Sequence, residues 1–194
     1  MKIPSTYTAQ NILTQAETTN PGLWIAHCKV AADCAKAIAD KCDNLDGETA
    51  YILGLMHDIG RRFGITDMRH IIDGYNFMKA SGYDDCARIC LTHSFPYKNI
   101  HSYNGKNDCT DDETKFILEF LEQTVYNDYD KLIQLCDSLA FPSGATYIEK
   151  RLVDVALRRG INDFTIPKWK AFLELKNYFD EKTGIEIYEL LKVR

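Results

Sequence analysis

Residue types that ligate metals recur inside the apolar helical stripes of this chain, and any fold it adopts has to accommodate them. The densest case is Gly54-Leu55-Met56-His57-Asp58-Ile59-Gly60-Arg61, where a histidine and an aspartate stand side by side at the end of an apolar run. Neighbours on an α-helix point about 100° apart and do not ordinarily share one ligand. They converge if the helix ends there, and Gly60 is the residue type that ends helices. An imidazole and a carboxylate beside a basic residue suit a divalent metal and a phosphate better than they suit a core.

The rest of the chain reads as all-α, because its periodicity is near 3.6 residues and no series of alternating strands or internal repeat stands out. A short first helix is expected over residues 9–17. Asn20-Pro21 then reads as a helix start, an N-cap residue followed by proline at the first helical position. The helix after it carries Leu23, His27, Val30, Cys34 and Ala37 at spacings of three and four, so His27 faces inward. Asp46 is the expected cap of the helix that runs into His57-Asp58, with Glu48 in its first turn.

Residues 67–80 place His70, Gly74, Phe77 and Met78 on one side. Gly74 lies one turn from His70 and permits close approach of another backbone or of a ligand. Residues 83–92 bring Cys86, Ile89, Cys90 and His93 into line. Residues 94–110 break the pattern and read either as a lid or binding loop or as a solvated connector. The acids Asp111, Asp112 and Glu113 then open a helix at its positive end. A further helix over 129–141 sets Asp137 on the face of Ile133 and Ala140. After the break at Pro142-Ser143-Gly144, helices over 146–159 and 168–180, and a short one over 185–191, read as packing and surface elements. Arg151, Arg158 and Arg159 read there as surface charges.

The 194 residues fit one all-helical domain. The 45% hydrophobic content is ordinary for a globular protein with a sizeable core. A net charge of -5 argues against extended nucleic acid as a partner. No apolar run is long enough to span a bilayer and the N-terminus has no secretory apolar region, so the expected compartment is the cytoplasm. Seven cysteines with no Cys-x-x-Cys pair indicate neither a disulfide framework nor a zinc ribbon, and they read as small buried hydrophobes.

Four histidines, His27, His57, His70 and His93, thus lie on inward faces or at their ends, joined by Asp58 and Asp137. Six separate polar accommodations in one small core would be costly, and one metal centre satisfies them all. The ordered series His27, His57-Asp58, Asp137 resembles the metal-binding signature of the HD superfamily of metal-dependent phosphohydrolases. His70 and His93 resemble the additional histidines of its two-metal members. The resemblance covers about 21–141 and is most specific in Gly-Leu-x-His-Asp-Ile-Gly-Arg; helices over about 145–194 lie beyond it.

The resemblance implies an HD helical bundle in which His27, His57, Asp58 and Asp137 hold a first divalent ion. His70 and His93 would complete a second site, with Asp58 bridging. Such donors admit one or two ions of Fe, Mn, Zn, Ni, Co or Mg. It further implies hydrolysis of a small phosphorylated metabolite or nucleotide by metal-activated water, a dinucleoside polyphosphate being one such substrate. Asp58 and Arg61 are then the catalytic candidates, Arg61 by gripping phosphate in a bidentate way. Arg62 is the neighbouring alternative, and either arginine also suits a helix C-terminus. Lys98 and His101 are possible substrate contacts. The same ligand types in this fold also serve di-iron oxygen chemistry; a non-catalytic regulatory module is a third alternative, against which the intact ligand set argues.

Overall fold

The helical periodicity corresponds to ten α-helices among the described residues, 1–193 of a computed structural model. They are α1 (Thr6–Thr19), α2 (Leu23–Ala39), α3 (Gly47–Met56), α4 (Arg69–Ala80), α5 (Asp84–Thr92), α6 (Asp111–Gln123), α7 (Asp128–Leu139), α8 (Ile148–Arg159), α9 (Thr165–Thr183) and α10 (Ile187–Leu190). Tight 3-10 turns cover Ile59–Phe63 and Ile100–Ser102. A two-stranded antiparallel hairpin, β1 (Ala140–Phe141) and β2 (Gly144–Ala145), turns at the Pro142-Ser143 break. Two-residue strands are too short to show an alternating pattern, so this hairpin had no periodic signature.

Caps set most helix starts. The Asp46 carboxylate accepts the Thr49 N–H at 2.7 Å, as expected. Helix α6 starts on Thr110, whose hydroxyl accepts from Glu113 N–H while the Glu113 carboxylate accepts from Thr110 N–H. Asn20-Pro21 does not begin α2. Gly22 is the residue before that helix, and Asn20 closes α1 instead, its N–H donating to Ala16 carbonyl. The Asn20 side-chain amide is spent elsewhere, on the Arg61 carbonyl at 2.6 Å, which ties the end of α1 to the turn after the His-Asp doublet.

The core is built on α2 against α3 and α7. Ala31, Ala32 and Ala35 of α2 are fully buried and let α3 come close. A Cβ on Gly54 would stand 2.5 Å from the Ala32 Cα, so this crossing admits no side chain. Leu53, Met56, Ile133, Cys136 and Leu139 complete the centre. Ile148, Leu152, Phe172, Phe179 and Ile187 of the C-terminal helices join the same cluster. A second cluster, with Met68, Ile71, Leu91, Phe95, Ile100 and Ile117, fastens α4, α5 and α6 to the 94–110 segment. That segment is therefore anchored at Phe95 and Ile100 and is not a free connector. Six of the seven cysteines are buried, Cys109 is half-buried, and all are free thiols.

At the doublet, α3 ends with Met56, His57 keeps helical angles, and Asp58 turns out at φ -105°, ψ 15° into the first 3-10 turn. Gly60 is not the terminator: it sits inside that turn and outside the left-handed region. Its missing side chain serves packing. A Cβ there would lie 1.9 Å from the His70 carbonyl oxygen and 2.5 Å from the Gly74 nitrogen. Gly74 provides the close approach expected of it, since a Cβ would meet Cys90 Sγ at 3.0 Å and the Gly60 nitrogen at 3.2 Å. Gly60 and Gly74 together bring α4, with His70, against the doublet. Gly60→Ala is expected to cost about 1–3 kcal/mol through forced separation of these backbones. A urea midpoint equal to wild type would show that α4 moves aside freely.

Candidate metal centre

The six expected residues arrive in one place from five segments. His27 comes from the second turn of α2, His57 and Asp58 from the end of α3, His70 from the first turn of α4, His93 from the end of α5 and Asp137 from the last turn of α7. The four histidines and Asp58 are buried, and Asp137 is half-buried at the rim. His27 Nε2 lies 3.2 Å from His57 Nε2 and 3.0 Å from Asp137 Oδ1. Asp58 Oδ1 lies 3.0 Å from His70 Nε2 and 3.5 Å from His93 Nε2. Donor atoms of His27, His57 and Asp58 lie within 4.8 Å of one another, as do those of Asp58, His70 and His93. Asp58 belongs to both sets.

The tautomers follow from what the other ring nitrogens face. His57 Nδ1 is 2.7 Å from the Gly54 carbonyl and His70 Nδ1 is 2.5 Å from the Asp67 carbonyl. His93 Nδ1 faces the Cys90 carbonyl at 3.0 Å, and His27 Nδ1 the Ala140 carbonyl at 3.0 Å. A carbonyl only accepts, so each neutral imidazole carries its proton on Nδ1 and turns an Nε2 lone pair inward. His27 and His57 then point two acceptors at each other. Asp58 Oδ1 and His70 Nε2 are buried with no hydrogen bond despite their 3.0 Å separation. Facing acceptors without protons are repulsive unless a cation lies among them, so the donor set fits a divalent ion.

Charge states agree. Burial pushes the His57 imidazole down to about 4, with Asp58 pulling the other way. Burial and the Arg61 cation also lower His70. Burial would raise the Asp58 carboxyl, but Arg61 and His70 outweigh it and hold it well below the usual range. Burial is likewise outweighed at Asp137, by the surrounding rings of His27, His57 and His93, which hold its carboxyl below the usual range. Neutral imidazoles and ionised carboxylates are the forms that ligate metals.

The HD domain family model matches residues 24–141, which is more than half of the chain and contains all six residues. The chain belongs to the HD domain family. No curated protein and no solved structure matches it. The match nearly coincides with the stretch read from the ligand series and stops at the end of the β1 strand, leaving α8 to α10 outside the HD domain.

The first of those outer helices, α8, nevertheless faces the HD centre. Arg151, Arg158 and Arg159 line a cleft of about 470 Å³ together with His27, Asp58 and Arg61. Arg158 and Arg159 are exposed, as the reading of surface charge expects, and Arg151 is half-buried; what that reading leaves out is that all three also face the cleft. They recur at i, i+7 and i+8, which gathers them on one helix face. That spacing was visible in the sequence but is shared by any solvated face. Arg158 is held by Asp154 at 2.8 Å and Arg159 by Asp67 at 2.7 Å.

Arg61 Nε donates to Asp58 Oδ2 at 2.5 Å and makes no other hydrogen bond among the described residues, which leaves its terminal amino groups free. Arg62 points away and stacks on Phe77, 4.0 Å from the ring centroid, so Arg61 is the arginine at the centre. Lys98 lies outside the cleft. Its ammonium donates to the Thr124 carbonyl and sits over the Tyr126 ring, pinning the loop to the end of α6. His101 is exposed and stacks on Phe164 at 6.1 Å.

The His57 shift sets a stability window for the metal-free protein. Its folded pKa lies below the unfolded value, so the unfolded chain binds the proton first. The neutral-His57 contribution is present above pH 6.5 and lost as pH falls towards 4. The loss is expected to reach about 3 kcal/mol. Urea midpoints in chelator at pH 7 and pH 5 should reveal it, and His57→Gln should flatten the difference.

Proposed function

We propose that this HD domain protein is a metal-dependent phosphohydrolase acting on a small phosphorylated metabolite or nucleotide, with dinucleoside polyphosphates among the candidates. The observation that supports this reading is the juxtaposition of four inward Nε2 lone pairs and two carboxylates with an arginine-lined cleft. The donors suit divalent ions and the arginines suit phosphate oxygens. A cleft of about 470 Å³ is also in the size range of small-molecule sites.

When bound, one or two divalent ions supply Lewis acidity towards a phosphoryl oxygen and make water acidic near neutral pH. The identity of the ion, among Fe, Mn, Zn, Ni, Co and Mg, is set by geometry and supply. The chain's own residues do the rest. The Nδ1–H donors to backbone carbonyls fix each imidazole in one orientation. Asp58 Oδ2 holds Arg61 by its Nε, which presents the two terminal amino groups for a bidentate grip on phosphate. Asp58 Oδ1 keeps its lone pairs for the centre. A protein nucleophile is unfavoured here: burial raises the thiol pKa of Cys28, beside His27, well above its ordinary value.

Elemental analysis with a phosphate-release screen tests this reading. About two metal equivalents are expected in wild type, falling to about one in His70→Ala and His93→Ala. His57→Ala and Asp58→Ala should abolish phosphate release while circular dichroism stays helical. Arg61→Ala should raise KM by about tenfold or more, the scale of one lost charge-assisted contact. Absence of both bound metal and phosphate release across nucleotides and sugar phosphates would refute the proposal.

A further inference from the structure

Lys168 stands in the first turns of α9, outside the HD match, and only 5% of it is exposed. Its ammonium donates one hydrogen bond, to the Ser102 carbonyl at 3.1 Å. No carboxylate lies within ion-pair distance of it among the described residues, whereas the buried Asp58 and Arg61 of the centre compensate each other. An ammonium taken out of water without a counter-charge is costly, and a lysine has three donors to satisfy. Burial accordingly lowers its pKa to about 8, with Asp137 pulling it back up.

The side chain lines a cavity of about 140 Å³ whose walls also include Arg61, Tyr103, Asp137, Arg151 and Arg159. A cavity of about 150 Å³ accepts a guest of roughly six heavy atoms, the scale of one phosphoryl group. Arg61, Arg151 and Arg159 line this cavity and the larger cleft alike, so the two spaces adjoin across the arginines. Arg151 is only loosely engaged, 3.5 Å from Asp154. The cavity therefore offers an uncompensated buried cation and a loosely held guanidinium, one side chain away from the metal donor Asp137.

We propose that this cavity is a second anion subsite, in which Lys168 and Arg151 hold a phosphoryl group that is not the one cleaved, so that the substrate carries at least two phosphoryl groups. The inference rests on the phosphohydrolase reading for the word substrate, but the subsite itself is defined by binding. Helices α8 and α9 thereby select among phosphorylated compounds, while the HD core carries the donors.

The probe is methylenediphosphonate, whose P–C–P bridge is not hydrolysed, compared with orthophosphate by calorimetry on the metal-loaded protein. Wild type is expected to bind the diphosphonate at least about tenfold more tightly than orthophosphate, the scale of one additional charge-assisted contact. Lys168→Met should weaken diphosphonate binding about tenfold and leave orthophosphate much less affected. Lys168→Arg should retain most of the preference, and Lys170→Met, an exposed lysine on the same helix, should leave both affinities unchanged. Repeating the titration in chelator separates Lys168 from metal chelation by the probe, and the Lys168→Met loss should persist there. Equal affinity of wild type for the two anions, or Lys168→Met indistinguishable from wild type, overturns the subsite. A Lys168-dependent diphosphonate preference without hydrolysis of any phosphate compound would keep the subsite and overturn the phosphohydrolase reading instead.

Discussion

Each of the four inward imidazoles is fixed by hydrogen bonding from Nδ1 to a backbone carbonyl, His93 sharing its donor between Cys90 and Ile89, and the centre depends on those contacts. Three of the acceptors lie three residues before their histidine: Gly54 for His57, Asp67 for His70 and Cys90 for His93. His57 and His93 cap the ends of α3 and α5, where carbonyls lose their helical partners. The ring thus satisfies an orphaned acceptor and is oriented by it. His27 lies inside α2, where carbonyls are already used, and takes the Ala140 carbonyl from across the fold. Ala140 is paired with Ala145 in the β-hairpin. The small hairpin therefore steadies the acceptor that His27 needs.

The six candidate positions were legible together because each lies on an apolar stripe or at its end; any one of them alone reads as an ordinary polar residue of a core, and only their joint placement is informative. What joined them was not legible. Gly60 looked like a helix terminator, whereas its role is to let the His70 carbonyl pass within contact distance, a demand set by the tertiary approach of α4. Lys98 looked like a substrate contact because it stood in an irregular loop, yet the end of α6 supplies it with a carbonyl and an aromatic face. The arginines of α8 and Lys168 of α9 carry the opposite lesson. A cation on an amphipathic helix is read as solvated unless its neighbours are known, and theirs come from segments far away in sequence.

The electrostatics of the molecule are uneven in a way that its net charge conceals. The chain carries -5 overall, yet the approach to the centre is lined by Arg61, Arg151, Arg158 and Arg159. Asp154 and Asp67 hold two of these guanidinium groups in place. Four guanidinium groups thus gather at one mouth of a chain that is acidic overall, three of them paired with Asp58, Asp154 and Asp67, and salt weakens any field they set up.

The seven free cysteines leave the chain without a covalent cross-link, and the donors of the centre lie on α2, α3, α4, α5 and α7. Ions held in the two donor sets that overlap at Asp58 would tie these helices together around one carboxylate. In the unfolded chain only the adjacent His57-Asp58 pair remains close, so such an ion finds its full coordination only after the long loops between the donors have closed. It would act on the folding equilibrium as a removable knot, tightening the native state by mass action without restraining the chain beforehand.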